Sequence, residues 1–368
     1  MSYNYKVRFV NYPEHYKQLK TELDHAYNDI MTTGNFILRS PLRDFENHFA
    51  NYLGVKHCVG VNSGTDALFF SAQTAGIQSG DEVITVSHTF LATVGAIVNN
   101  RGTPKLIDVG DDHNMDVTKL EKAITPKTKA IIPVHLNGRI CEMDKIMEVA
   151  ENNNLKVIED AAQAIGATFN EKKAGSFGFT GIFSFYPAKV LGTAGDGGIV
   201  ATNDENVAIR VRELRDNGRT EDGGVNGYGY CSRLDNLHAA FLDAKLKHIP
   251  DWIKRRREVA NMYNTAFKEI NDLHIPFFPD NRFFDVYQNY VVQTSKRDEF
   301  VRFLRESGVE VLISWPVPMH KQPSLNLNFD LPKTEEISRT VVSLPLYPEI
   351  KNEEVQYVID VVKEYFKK

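Results

Sequence analysis

The chain reads as an α/β protein, a mainly parallel sheet flanked by helices, followed by a smaller C-terminal α+β unit. Three observations predict this. Short apolar runs alternate with helical stretches between residues 58 and 202, and helical crossovers imply parallel strands covered on both faces. Small and polar residues follow those runs, at the strand carboxyl ends where such sheets bind ligands. From Ser232 onward the pattern becomes one long helical stretch, then mixed strands and helices. With 368 residues there is room for a large unit over 1–248 and a small one over 249–368. Ile249-Pro250 interrupts the long helical stretch and marks the expected boundary.

Each element has its own signal. Leu19, Leu23, Ala26 and Ile30 repeat at helical spacing, which predicts a helix over 14–33. A second amphipathic helix is expected over 42–53. Residues 58–61 form a short strand that meets Asn62-Ser63-Gly64-Thr65 and an apolar helix over 66–75. A strand, a small-residue turn and a helix N-terminus aim free N–H groups and the helix dipole at one spot, which is an anion site. A plain turn capped by Ser63 or Thr65 is the competing reading. Strands are expected at 82–86, 104–109, 130–134, 155–158, 181–185 and 198–202, with helices at 90–99, 116–123 and 143–153. Beyond the helical stretch 234–269 lie strand-like runs at 286–293 and 309–313, and helices at 297–307 and 353–367. The basic run Lys254-Arg255-Arg256-Arg257 reads as a solvated helix face, because adjacent helical residues point in different directions.

Composition excludes several function classes. The chain is 42% hydrophobic and 25% charged, as expected for a globular protein with a sizeable core. Lys plus Arg total 43 against 48 Asp plus Glu, a net charge of -5, so nothing recommends nucleic acid as a partner. Cys58, Cys141 and Cys231 form no CxxC pair, which argues against a disulfide framework and a structural zinc site; no metal is expected. The N-terminus is too polar for a signal peptide. The longest uncharged stretch, near 83–101, is broken by Ser, His, Thr, Gly and Asn, so no membrane span is expected. The expected address is the cytoplasm.

Two stretches carry the chemistry. In FSFYPAKVLGTAGDGG, Lys189 follows an apolar strand and a proline, among Phe183, Phe185, Tyr186 and Val190. A surface position is the usual fate of lysine. A desolvated lysine has a lowered pKa and is a better nucleophile at neutral pH, and such an amine can form an imine with an aldehyde cofactor. Upstream, LKVIEDAAQAIG places Asp160 and Gln163 at the end of an apolar run. Asp160 alone would be read as a helix N-cap. A helix starting there would put Asp160 and Gln163 on one face.

In this order the two stretches resemble the sugar aminotransferases of the DegT/DnrJ/EryC1/StrS family, over nearly the whole chain, from about Gly34 to Pro348. The resemblance implies a fold-type-I aminotransferase that uses pyridoxal 5'-phosphate (PLP). Lys189 stands at its Schiff-base lysine and Asp160 at the aspartate facing the pyridine nitrogen, which keeps the ring electron-poor. Gln163 stands beside the ring near its phenolic oxygen. Gly64, Thr65 and Ser184 match phosphate contacts, and Phe90 the aromatic over the ring face, with core packing as its competing reading. Some dehydratases of the family carry histidine at the lysine position, so Lys189 favours amino transfer. Tyr186, Trp315 and His320 are the expected substrate contacts; Ser314 and Trp315 depart from the family's I-H-Y-P-x-P-x-H, while His320 keeps its place. SLPLYPEI near the C-terminus is a further family signature.

The implied reaction moves an amino group from L-glutamate to a keto group of a nucleotide-linked hexose, for surface-glycan or related amino-sugar biosynthesis. GDGG at Gly195 to Gly198 and SRLD at Ser232 to Asp235 favour a 3-keto sugar, such as a dTDP-3-keto-6-deoxyhexose, over a 4-keto one. A PLP-binding member that regulates rather than catalyses is a further alternative. A nicotinamide dehydrogenase lacks support, since no GxGxxG follows an early strand. The resemblance also implies a homodimer whose active sites lie at a two-fold interface. One departure stands out. The family's G-x-N-x-R reads Gly229-Tyr230-Cys231-Ser232-Arg233 here, and a thiol is a poor donor to phosphate. Ser232 or Asn226 then substitutes for the asparagine, or that contact is lost.

Overall fold

The computed structural model describes residues 4–367. Two helices lead, α1 (Tyr12–Thr33) and α2 (Ser40–Leu53). Each ends where glycine takes a left-handed conformation, Gly34 at φ 68° and Gly54 at φ 79°. Next come β1 (His57–Val61), α3 (Gly64–Thr74), β2 (Glu82–Val86), α4 (Leu91–Asn99), β3 (Thr103–Ile107), α5 (Leu120–Ala123), β4 (Thr128–Ile131), α6 (Met143–Asn152) and β5 (Lys156–Asp160). The short strands β6 (Thr168–Phe169) and β7 (Lys172–Lys173) precede β8 (Thr180–Ser184) and β9 (Gly198–Thr202). Helices α7 (Glu205–Arg215), α8 (Asn236–Leu246) and α9 (Ile249–Phe267) follow, then β10 (Phe283–Phe284), β11 (Tyr290–Gln293), α10 (Arg297–Glu306), α11 (Pro332–Thr340), β12 (Val341–Leu344) and α12 (Asn352–Lys367).

Seven strands form the main sheet in the order β1-β9-β8-β5-β4-β2-β3. Only β9 runs against the others, pairing antiparallel with both β1 and β8. The expected mainly parallel sheet is therefore present. Successive strand residues point to opposite faces, and the core divides accordingly. Val157, Phe183, Ile199 and Ala201 pack on one face with α2 and α8. Ile158, Ile182 and Val200 pack on the other with α3, α4 and α7. A separate core gathers Val259, Tyr263 and Phe267 of α9 with β11, β12, α10 and α12, and takes in Val7 from the N-terminus. Helices α8 and α9 are distinct, with Pro250 in the first turn of α9 where its missing N–H is harmless.

Three expectations are corrected. No helix begins at Asp160, which is the last residue of β5; the chain then turns, with Ala164 N–H donating to Ala161 O at 2.9 Å. Residues 309–313 make only isolated bridges, Val7 to Val309 and Leu312 to Ser343, because their partners meet them at single points. The basic run on α9 is not wholly solvated. Arg256 is 5% exposed and shares the buried helix face of Trp252, Val259 and Tyr263.

Candidate active site

Every strand but β9 ends at the same edge of the sheet, and a cleft of about 640 Å³ opens there. Nine of the ten residues singled out from the sequence line it: Gly64, Thr65, Phe90, Asp160, Gln163, Ser184, Tyr186, Lys189 and Trp315. His320 does not. It is buried behind the cleft, its Nδ1 2.7 Å from Ser87 Oγ and its Nε2 3.3 Å from Glu335. As a direct substrate contact it is therefore corrected, since both ring nitrogens are occupied by protein.

The FSF stretch shows how strand alternation builds the site. Phe183 and Phe185 turn inward, edge-on to Phe49 at 5.2 and 5.5 Å. Ser184, between them, turns the other way into the cleft. Across from it, β1 runs through Ser63 into α3. Ser63 caps the helix, accepting from Asp66 N–H at 3.1 Å. Gly64 and Thr65 supply the first two N–H groups of α3, which have no intrahelical acceptor. Ser184 packs against Gly64 so closely that a Cβ there would lie 2.7 Å from the serine Cβ. Gly198 is equally constrained, with Ser63 backbone 2.3 Å from any added Cβ. The cradle therefore needs glycine at both positions.

Asp160 is buried at the end of β5. Its Oδ2 accepts from Thr93 Oγ1 at 2.8 Å and its Oδ1 from Ala162 N–H at 3.3 Å. Thr89 Oγ1 lies 2.8 Å from Thr93 Oγ1, extending the chain of hydroxyls. Burial raises the Asp160 pKa; Thr93, Ala162, Lys189 and His135 oppose the rise. Lys189 sits in the irregular stretch between β8 and β9, and burial brings its pKa down to about 8, against the pull of Asp160. A half-buried amine that loses its proton near neutrality, close enough to a buried carboxylate to feel its charge, suits a nucleophilic or proton-moving site. Gln163 Oε1 accepts from Asn137 N–H at 2.8 Å. The turn after β5 brings Asp160 and Gln163 to the same cleft without a helix.

At the mouth, Phe90 is 60% exposed as the N-cap of α4, which rules out core packing for it. Tyr186 is 54% exposed. The Trp315 ring stands edge-on to buried His88 at 5.4 Å, from a backbone held at φ 47°. Around Cys231, both proposed substitutes are engaged within the chain. Ser232 Oγ donates to Asp66 Oδ2 at 2.8 Å, and Asn226 Nδ2 donates to Glu213 at 3.1 Å. Cys231 is exposed, its sulfur 3.1 Å from Arg233.

Sequence reasoning missed Thr93, Gln288 and Arg256, all in the cleft wall. Thr93 could have been found three residues after Phe90, on the same helix face. Arg256 was betrayed by its spacing from Trp252, Val259 and Tyr263. Gln288 gave no local signal.

Fold and cleft together define a fold-type-I aminotransferase. The pattern of the DegT/DnrJ/EryC1/StrS aminotransferase family matches residues 17–363, and the chain belongs to that family. It is 40% identical to the dTDP-3-amino-3,6-dideoxy-alpha-D-galactopyranose transaminase of Aneurinibacillus thermoaerophilus, over 94% of this chain and 95% of that one. It is 38% identical to a pleiotropic regulatory protein of Geobacillus stearothermophilus, over 98% and 99%. Among solved structures, S. venezuelae DesV superposes with a TM-score of 0.95 at 37% identity, covering 98% of this chain and 99% of DesV. Among the described residues no helix is long and apolar enough to cross a membrane.

Proposed function

We propose that this protein is a PLP-dependent aminotransferase acting on a nucleotide-linked keto sugar, with L-glutamate as amino donor and C3 as the acceptor carbon. The observation that carries the reading is the one cleft in which a half-buried amine with a pKa brought down to about 8 feels the charge of buried Asp160. The residues fit PLP. The cavity is of the size that small-molecule sites take, Gly64 and Thr65 at the start of α3 line it together with the Ser184 hydroxyl, and an amine and a carboxylate are present for its two ends.

Bound PLP supplies an electron sink for carbon–hydrogen bond breaking. Lys189 would hold the cofactor, and its amine would move protons as general base and acid, for which a pKa near the working pH is best. Asp160 would set its carboxylate against the pyridine nitrogen and so keep the ring electron-poor. Thr93 and Ala162 N–H hold that carboxylate in place and favour its ionised form. The N–H groups of Gly64 and Thr65 and the Ser184 hydroxyl would hold the phosphate, aided by the helix dipole. Phe90 offers a ring face. Tyr186 and Trp315, at the rim, meet the sugar nucleotide.

The C3 assignment is supported by GDGG and SRLD in this chain and by the 3-amino sugar in the name of the A. thermoaerophilus relative. A homodimer is proposed as the working form. Its support is the stretch before Cys231, where Val225 is 71% and Tyr228 98% exposed, an apolar surface that a two-fold interface would cover. We place the enzyme in the cytoplasm, in amino-sugar synthesis for a surface glycan, and divide the chain into units 1–248 and 249–368. The relative named as a regulatory protein favours a second reading, cofactor binding without turnover.

One experiment separates the two. Purified holoprotein is titrated with L-glutamate while its visible spectrum is followed, then given dTDP-3-keto-6-deoxyhexose or its 4-keto isomer. Bleaching by glutamate and recovery with the 3-keto sugar are expected, with an amino sugar detected by mass spectrometry. A spectrum indifferent to glutamate would reject catalysis, and recovery with the 4-keto sugar alone would move the acceptor carbon.

A further inference from the structure

The stretch that carries Lys189 has no regular secondary structure. Between β8 and β9, a few local bonds close it on itself. Phe185 N–H donates to Gly197 O at 2.8 Å, Thr193 N–H to Phe185 O at 2.8 Å, and Lys189 N–H to Tyr186 O at 2.9 Å. None of these bonds uses the Ala188 carbonyl or the Val190 N–H, and a catalytic amine needs its geometry kept. The missing restraint comes from about a hundred residues away. Gln288 Oε1 accepts from Val190 N–H at 2.9 Å, and Gln288 Nε2 donates to Ala188 O at 2.9 Å.

These two bonds fall on a particular pair of groups. The Ala188 carbonyl belongs to the peptide plane before the Lys189 Cα, and the Val190 N–H to the plane after it. Rotation about φ of Lys189 swings the first plane, and rotation about ψ swings the second. One amide bonded to both restrains both torsions and so sets the direction of the Lys189 Cα–Cβ bond. Gln288 is itself well anchored. It is 8% exposed, lies just before β11, and its own carbonyl accepts from Arg256 Nη1 at 3.3 Å. The same guanidinium nitrogen binds Tyr287 O and Leu346 O, each at 3.1 Å. The clamp thus ties the lysine stretch to the core built from α9, β11 and β12.

We propose that Gln288 is a positioning residue for Lys189, its amide gripping the two flanking peptide groups and aiming the amine into the cleft. The inference rests on the reading of Lys189 as the reacting amine. The competing view is that Gln288 only satisfies two buried backbone groups, which any folded chain requires. A second tether in the same stretch separates the two views. Lys245 Nζ donates to Gly192 O at 2.7 Å, holding the loop three residues beyond Lys189 without touching its peptide planes.

The test compares Gln288→Met, which keeps the reach and loses both bonds, with Gln288→Glu, which can still accept from Val190 N–H but cannot donate to Ala188 O. Lys245→Met serves as the loop control. Two readouts are taken. In protein freed of cofactor, hydrogen exchange is followed for the peptide spanning residues 186–192. In holoprotein, kcat and KM for L-glutamate are measured separately. Gln288→Met should speed exchange and lower kcat by about 100-fold, the scale for a reacting group displaced by roughly 1 Å, while KM changes less than about threefold. Gln288→Glu should fall in between, and Lys245→Met should keep kcat within about threefold of wild type. Unchanged exchange in Gln288→Met would overturn the clamp. Faster exchange with wild-type kcat, or equal losses of kcat in Gln288→Met and Lys245→Met, would overturn the positioning role. Should Gln288→Met fail to fold, Gln288→Glu carries the same two readouts. The exchange arm needs neither cofactor nor substrate, so it judges the clamp separately from the glutamate titration that judges the function.

Discussion

Replacing Lys189 by methionine should stabilise the protein freed of cofactor at neutral pH, even as it abolishes transamination. The amine is half-buried in the cleft wall, and its desolvation there carries its pKa from 10.5 to about 8. An unfolded lysine would bind its proton more tightly. Below pH 8 both states are protonated, and the folded state bears the full cost of the partly desolvated ammonium. That cost is lost as pH rises from 8 through 10.5, where both states become neutral. At about 1.4 kcal/mol per tenfold change in proton affinity, the fall corresponds to ~3 kcal/mol. Methionine fills a similar volume with no charge. The attraction of Asp160 is already contained in that net fall, so a gain of up to about 3 kcal/mol is expected at pH 7. Near pH 10 the lysine cost falls below ~1 kcal/mol. Urea unfolding of both proteins at pH 7 and pH 10, after removal of cofactor, measures the difference. A destabilised Lys189→Met, or a gain equal at the two pH values, would show that the amine is not held in a desolvated site.

Other consequences follow from the same geometry. Borohydride reduction of the holoprotein followed by peptide mapping should place the cofactor on Lys189, and a label on another lysine would reject its role. Asp160→Asn keeps the shape but removes the charge facing the pyridine nitrogen, so turnover should fall by orders of magnitude with cofactor still bound; wild-type turnover would leave Asp160 a structural residue. Thr93→Val is nearly isosteric and removes the 2.8 Å bond to Asp160, so it should weaken cofactor binding by about tenfold, the scale of one hydrogen bond to a charged group. Thr93→Ser should restore the affinity, and a reversed order would mean that the methyl group matters more than the hydroxyl. Cys231→Ala should leave the cofactor dissociation constant nearly unchanged, and Cys231→Asn should equal or tighten it, since an amide donates where a thiol hardly can. A large loss for Cys231→Ala would contradict this. Sedimentation should find a homodimer, and a fully active monomer would rule it out.

Much of the site was legible in the sequence because its residues are local in the chain and carry their own signals. Strand and helix periodicity located the main sheet, and β2 and β9 span the residues expected. A strand alternates its side chains, so FSF turns two rings to the core and Ser184, which the family resemblance had singled out, to the cleft. A strand running into small residues and a helix located the turn that brings the start of α3 to the cleft. Reading Asp160 as the start of a helix failed because the pairs Asp160 and Gln163 converge through a turn, a geometry that spacing alone does not distinguish from one helical turn. His320 failed for another reason: its sequence neighbours place it near the cleft, but Ser87 and Glu335, far away in the chain, occupy its ring. The basic run on α9 announced charge, whereas the buried face of that helix decided that Arg256 would be enclosed. Gln288 lay beyond sequence reasoning altogether. Its partners, Ala188 and Val190, are about a hundred residues away, and a side chain that matters through peptide groups brought to it by the fold leaves no periodicity, cap or spacing in its own neighbourhood. Local patterns follow from bonds the backbone makes with itself within a turn or a strand. The aim of the lysine follows from how two separately packed cores meet, and only the tertiary structure decides that.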